Sequence, residues 1–231
     1  MSKKVAIIQS SYIPWKGYFD IINSVDEFVL FDDVQYTKRD WRNRNSIKTK
    51  EGLKWLTIPV EVKGKFFQKI NETKISDQNW GKDHWNKITH TYLKSPYFKD
   101  YKNTFEKIYL SPQVEMLSIV NFKFIKAICE ILGIRTKISW SSNFSLMDGR
   151  TERLVSICKQ AGANCYYSGP SAKDYIEAEK FKEAGIEVIY FDYSDYPKYR
   201  QLFGEFEHKV TILDLIFNEG PDSVKFMKSF K

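Results

Sequence analysis

An open, mostly parallel α/β sheet with a block of helices inserted in it is the fold that this sequence predicts. Three observations lead there. Two apolar, β-branched runs near the start, "KKVAIIQ" and "DEFVLFDD", are separated by a stretch with helical spacing. Residues 79–133 then read as helix alone, and after them strand and helix patterns alternate again. Apolar strands joined by helical crossovers are parallel, buried on both faces and covered by helices.

The elements follow in order. "KKVAIIQ" is a short buried strand closed by polar residues, and "SSYIPWKG" is a loop punctuated by Pro14 and Gly17. Tyr18, Ile21, Ile22 and Val25 recur at the spacing of one helix face. "DEFVLFDD" is a second buried strand that ends in adjacent aspartates. Residues 36–50 hold six Lys/Arg against one Asp, and "LKWLTIPVEV" follows as a strand with "QKINETKI" beside it.

In the helical block, Trp85, Ile88 and Tyr92 share a face. "SPYFKDYKNTFEKIYL" opens on a Ser-Pro helix start and repeats at Phe98, Tyr101, Phe105 and Ile108. "SPQVEMLSIVNFKFIKAICEILG" opens the same way and stops at Gly133, with a stripe of Val114, Leu117, Val120, Phe124, Ile128 and Ile131. "TKISWSS" is a strand, "RTERLVSICKQAGA" a helix, "NCYYSGPS" a strand that enters a loop, "DYIEAEKFKEAG" a helix and "IEVIYFDY" a strand. "VTILDLIFNEGPDSVKFMKSF" gives two short helices broken at Gly220-Pro221. The expected arrangement is one Rossmann-like α/β domain over residues 1–231, with 79–133 inserted within it.

A chain of 231 residues with 42% hydrophobic content builds a core without disulfides or metal. Cys129, Cys158 and Cys165 lie in apolar contexts without CxxC spacing, as buried thiols in a reducing compartment do. The start "MSKKVAIIQSSY" has only four consecutive apolar residues, too few for a signal peptide, and no run approaches the ~18 of a membrane span. A cytoplasmic protein is expected. The net charge of +7 fits a polyanionic partner, a phosphorylated substrate or plain solubility. Aromatic content of 16% fills a core or lines pockets for sugars and bases.

In an open parallel sheet, ligands bind beyond the carboxyl ends of the strands. The first such segment holds Gln9, Tyr12 and Gly17. Its amides lead into a helix N-terminus, which favours anions. The segment is similar to the loop of HIGH-type nucleotidyltransferases, but Gly17-Tyr18 stands where Gly-His would, so the phosphate-contacting histidine is absent. The second holds Asp32, Asp33 and Gln35. On a continuing strand the two aspartates face opposite ways and serve one site only if the strand has ended. Buried carboxylates need partners, and Arg42 or Arg44 is the natural candidate.

"KRDWRNRN" then packs Lys38, Trp41, Arg42, Asn43, Arg44 and Asn45 together. Guanidinium forks suit phosphate and Trp suits stacking on a base or sugar; a solvated basic loop is the alternative. "SGPSAKDY" brings Ser168, Gly169, Ser171, Lys173 and Tyr175 to a strand-to-helix loop that can cradle a diphosphate. His84 and His90 are six residues apart and face different ways on a helix, His208 is distant, and no metal set results. His84 remains an acid–base candidate or a structural histidine.

These stretches carry a resemblance. "QSSYIPWKGYFDII", "DEFVLFDDVQYTKRDWRNRNSIK", "WLTIPV", "HWNKITHTYLKSPYF", "YYSGPSAKDYI" and "TILDLIFNEGP" resemble the WbqC-like family, which is found among bacterial O-antigen and surface-polysaccharide gene sets. The resemblance runs over nearly the whole chain. It implies a transferase that modifies a nucleotide-linked amino sugar by glycyl, aminoacyl or acyl transfer. No cofactor is implied beyond an activated acyl or aminoacyl donor, carried on an acyl carrier or a tRNA. Asp33, Asp32 and His84 are the candidate bases for such a transfer, and the arginines, asparagines and loop amides the candidate oxyanion donors. A nucleotidyltransferase using ATP or CTP, a non-catalytic sugar-nucleotide binder and an RNA-binding protein are the rival readings. The sequence is silent on oligomeric state.

Overall fold

A computed structural model describes residues 2–111 and 115–230. In chain order the elements are β1 (Lys4–Ile8), α1 (Lys16–Asn23), β2 (Glu27–Leu30), β3 (Arg44–Thr49), β4 (Gly52–Thr57), α2 (Trp80–Tyr92), α3 (Phe98–Leu110), α4 (Leu117–Leu132), β5 (Lys137–Trp140), α5 (Arg150–Gln160), β6 (Cys165–Ser168), α6 (Ala178–Glu183), β7 (Glu187–Tyr190) and α7 (Ile212–Glu219). Short 3₁₀ turns fill several of the connections. No helix among the described residues is long and apolar enough to cross a membrane.

Five strands form one sheet in the order β5-β2-β1-β6-β7, with every neighbouring pair parallel. Past their first residues, β1 and β2 are apolar throughout because both faces are covered. Ala6, Phe28 and Leu30 enter the larger core, and Val5, Ile7 and Val29 enter the smaller one against Leu154, Ile157 and Phe181 of α5 and α6. Helices α1, α2, α3, α4 and α7 supply most of the larger core. Between them, the helical block and the β3–β4 hairpin separate β2 from β5, which pair directly in the sheet. At the amino ends of the strands, buried Glu27 is paired with Lys3 at 2.8 Å and Lys137 at 2.9 Å.

Three local expectations are revised. The basic segment is in part a strand: β3 pairs antiparallel with β4, Arg44 opposite Thr57. "QKINETKI" is no strand; Ile70–Glu72 form a 3₁₀ turn, and Lys69, Lys74 and Ile75 make isolated bridges to Gln35, Met116 and Val60. The helix in "DYIEAEKFKEAG" is confined to α6, behind a 3₁₀ turn at Pro170–Asp174. Helix α4 starts at Leu117 and ends at Gly133 with φ of 72°, a left-handed cap that suits glycine. Pro112 and Val114 of its expected start lie outside the described residues.

Two polar clamps close the far end of the chain onto this frame. Asp20 of α1 accepts from Lys228 N at 2.8 Å, Ser229 N at 2.9 Å and Ser229 Oγ at 2.5 Å. Asp214 of α7, buried, accepts from Tyr92 and Tyr199 hydroxyls at 3.0 and 2.9 Å and from Gln201 Nε2 at 2.9 Å. Next to it, Phe217 sits among the rings of Tyr92, Phe98 and Phe105, with centroids 5.3, 5.1 and 5.6 Å away. Phe217→Ala leaves a cavity where α2, α3 and α7 meet. Urea unfolding will show a loss of about 3–5 kcal/mol with an unchanged slope.

Candidate functional site

The β1–α1 loop is the most constrained segment of the chain. Ile13 has φ of 36°, a costly conformation for a β-branched residue. Contacts on all sides hold it there. Asn45 Nδ2 donates to the carbonyls of Tyr12 (3.2 Å) and Ile13 (2.8 Å), Tyr12 N donates to Trp41 O at 3.0 Å, and Ile212 N donates to Pro14 O at 3.0 Å. From beneath, the Tyr12 hydroxyl shares hydrogen bonds with His84 Nδ1 at 2.8 Å and the Tyr109 hydroxyl at 2.7 Å, walled by Trp80 and Phe124.

Ser10 is the hub of this loop. Its N–H donates to Asp32 Oδ1 at 2.8 Å, its carbonyl accepts from Arg42 Nη1 at 3.4 Å, and its hydroxyl accepts from Asn121 Nδ2 at 3.0 Å. Asn121 Nδ2 also donates to Arg42 O at 2.9 Å. One buried amide of α4 thereby joins the ends of β1 and the entry to β3.

Because β2 ends at Leu30, both aspartates lie beyond the strand and border one cavity of about 310 Å³. Asn71, Trp140 and Ser142, with Met116, Ser118 and Ile119 at the α4 head, complete its lining. The expected alternation of faces therefore does not apply. Asp33, half-buried, accepts from Asn71 Nδ2 at 2.9 Å and from Ser141 Oγ at 2.5 Å. Asp32 is 1% exposed, and its Oδ2 is buried without a hydrogen-bond partner. Desolvation raises its pKa, against the Ser10 N–H and the nearby Arg42 charge, which lower it. The expected arginine partner is thus a neighbour by charge, and a backbone amide makes the bond. Arg42 itself pairs with Asp40 at 3.6 Å. The 16-residue α4 has no side-chain cap at Met116, so the positive end of its dipole meets the carboxylate pair.

Neither Arg42 nor Arg44 lines the cavity. Arg44 makes no ion pair among the described residues, and its guanidinium lies 4.3 Å over the Trp55 ring. Trp55 in turn lies 5.6 Å from Trp41, and both are nearly half exposed.

The other expected residues fall elsewhere. Asn43 Nδ2 donates to Ile58 O at 2.8 Å, so Asn43 and Asn45 are buried bracing for the loop and hairpin. Gly17 is buried under Trp15, whose ring atoms occupy the place of a side chain. Gln35 Nε2 donates to Phe66 O at 2.9 Å, and Lys38 is exposed in a turn. Gln9 lies half-buried at the end of β1, and its carbonyl accepts from the Tyr18 hydroxyl at 3.0 Å. Ser168 is buried and donates to the Tyr166 hydroxyl at 3.3 Å; Gly169 follows it beside Tyr193. These two flank the β1–β6 crossover, where strand order reverses, whereas the cavity sits on the other side of β1, at β2 and β5. Ser171, Lys173 and Tyr175 are exposed; Lys173 lies over Tyr190 and Arg150 over Tyr175.

Asn71, Asn121, Ser118 and Ser141 were not anticipated. Asn121 had a visible signal, because it interrupts the apolar stripe of α4 one turn after Leu117. Asn71 sits in a connection with no periodic pattern and gave none.

A five-stranded, all-parallel sheet covered by helices, with a carboxylate pair beyond the end of β2, defines an open α/β protein. The chain belongs to the WbqC-like protein family, whose model matches residues 9–226. It is similar to uncharacterized protein Rv1507c of Mycobacterium tuberculosis strain H37Rv, 50% identical over 226 residues that cover 98% of each chain. No solved structure matches the chain.

His84 is 3% exposed, and burial pulls its imidazole down to about 4, with Lys87 adding to the effect and a hydrogen bond to the Thr57 backbone opposing it. The folded protein therefore resists a proton that the unfolded chain accepts at about 6.5. Its contribution is complete above that value and disappears as the pH falls towards 4. Wild type will lose about 3 kcal/mol more than His84→Gln between about pH 7 and about pH 4, read from urea midpoints at each pH.

Proposed function

We propose that the chain is a transferase that acylates the amine of a nucleotide-activated amino sugar, with a glycyl, aminoacyl or other acyl group, in the assembly of a bacterial surface polysaccharide. The observation that carries this reading is the pair Asp32–Asp33 at a cavity of about 310 Å³; in the β3–β4 hairpin Arg44 lies over the half-exposed Trp55 ring. That volume is at the low end of ligand pockets (roughly 300–1,000 Å³) and suits one sugar ring. The diphosphate then runs along Arg42 and Arg44, and the base stacks on the Trp41–Trp55 face. Family membership supports the setting.

In this reading Asp33, held by Asn71 and Ser141, receives the sugar amine. The amine nitrogen attacks the carbonyl carbon of the activated donor. The new C–N bond forms, the carrier's thiolate or hydroxyl departs, and the amine proton passes to Asp33. The first-turn amides of α4 face the developing oxyanion. Asp32 stays under the loop and keeps Ser10 in place, so it positions the site. His84 is enclosed by aromatic side chains and supports the loop through Tyr12, a structural role.

The test is thermal stabilisation by dTDP-, UDP- and GDP-linked amino sugars, with ATP, CTP and free sugars as controls. A ligand at a hundred times its dissociation constant adds about 2.7 kcal/mol. Asp33→Asn will then keep that binding and lower turnover by at least ~100-fold. Stabilisation by ATP or CTP alone, with release of pyrophosphate, makes the chain a nucleotidyltransferase. No response to any amino-sugar nucleotide sinks the reading.

A further inference from the structure

The connection between β4 and α2 carries a feature that the cavity does not use. Its stretch "KGKFFQK", residues 63–69, has three lysines, no acid and two adjacent phenylalanines. Phe66 is 71% exposed and Phe67 82% exposed, the two most exposed large hydrophobic side chains among the described residues. Their rings meet edge to face at 5.0 Å and cover little else.

Backbone bonds fix this presentation. Lys65 N donates to Val62 O at 3.3 Å and Gln68 N to Lys65 O at 3.4 Å, which makes the tip a turn. Tyr36 N donates to Gln68 O at 2.9 Å, Gln35 Nε2 to Phe66 O at 2.9 Å, and Gln68 Nε2 to Glu61 O at 2.7 Å. The tip is built to hold two aromatic side chains away from the core. Fully burying a side chain of this size is worth roughly 1.5–3 kcal/mol, so a fixed turn that leaves two in water gives up that gain unless something else covers them.

Charge says what covers them. Lys63, Lys65 and Lys69 are exposed around the pair, and Lys65 alone is matched, by Glu61. Aromatic side chains that enter the acyl boundary, ringed by ammonium groups at headgroup level, are the pattern of a reversible anchor on an anionic bilayer. We infer that this turn docks the protein on the surface of an anionic membrane, with Phe66 and Phe67 inserted and the lysines on the lipid phosphates. The inference stands apart from the reaction proposed above, and its test uses no sugar or donor.

The test is flotation of the full chain with phosphatidylcholine vesicles, with and without phosphatidylglycerol. Wild type will float with the anionic vesicles only, and salt will weaken the association. The double variant Phe66→Ser, Phe67→Ser will partition at least about tenfold less for each phenylalanine removed, because each loses more than about one decade of apolar transfer. Lys63→Glu with Lys69→Glu will lose binding while keeping the rings. Both positions are outside the core, and unchanged melting curves will establish intact folding. Wild type that stays with the unbound fraction, or a serine variant that floats as wild type does, overturns the inference. A concentration-dependent dimer that the serine variant abolishes also overturns it, since a second copy then covers the pair.

Discussion

The bond from the Ser10 amide to the Asp32 carboxylate is the constraint on which the rest of this structure depends. It ties the carboxyl end of β1 to that of β2, and so brings a strand-to-helix loop against a carboxylate pair. A buried carboxylate with an unpartnered oxygen is unfavourable unless nearby positive charge offsets it. Here the offset is distributed: one backbone N–H, the Arg42 guanidinium and the head of α4. Each comes from a different part of the chain, and each has further obligations to Ser10 or Asn121. The polar groups therefore form one linked set, in which moving any member shifts the others.

That set sits on an apolar foundation. Tyr12 reaches down into the helical block, where His84, Tyr109, Trp80 and Phe124 enclose it. The unusual backbone at Ile13 persists because Asn45 above and this aromatic cluster below leave no roomier alternative. The inserted helices are thus more than a covering for the sheet. They are the floor of the β1–α1 loop, and through the first turn of α4 they also form a wall of the cavity.

The sequence disclosed the sheet because its signal is one of periodicity. Runs such as "VAII" and "FVLF" are apolar at every position, which burial on both faces explains, and their residues divide between the two cores. The carboxyl edge of the sheet was legible for the same reason, since parallel strands all finish on one side. What stayed hidden is how polar side chains were divided between bracing and exposure. Asn43 and Asn45 look the same as Arg42 and Arg44 in a basic segment, yet the asparagines turn inward to backbone carbonyls, Arg42 reaches under the loop to Ser10, and Arg44 lies over the Trp55 ring. Asp32 and Asp33 differ only in where β2 stops, a one-residue matter that propensity does not resolve. Asn71 and Ser141 bind Asp33 through three-dimensional proximity across 38 and 108 residues of chain, and nothing local marks them.

The bonds that finish the first loop come from the far end of the polypeptide. Pro14 is held by Ile212, and Asp20 by Lys228 and Ser229. On a ribosome the β1–α1 segment emerges before these partners, and it lacks them until residues 212–229 have been made. Strand β1 is in the same position, because its neighbour β6 begins only at Cys165. The apolar run "VAII" must therefore wait for β6 with one edge open, at risk of pairing with the wrong strand. A copy cut before residue 212 would leave Pro14 and Asp20 without these partners, and the loosened first loop would offer a protease its entry.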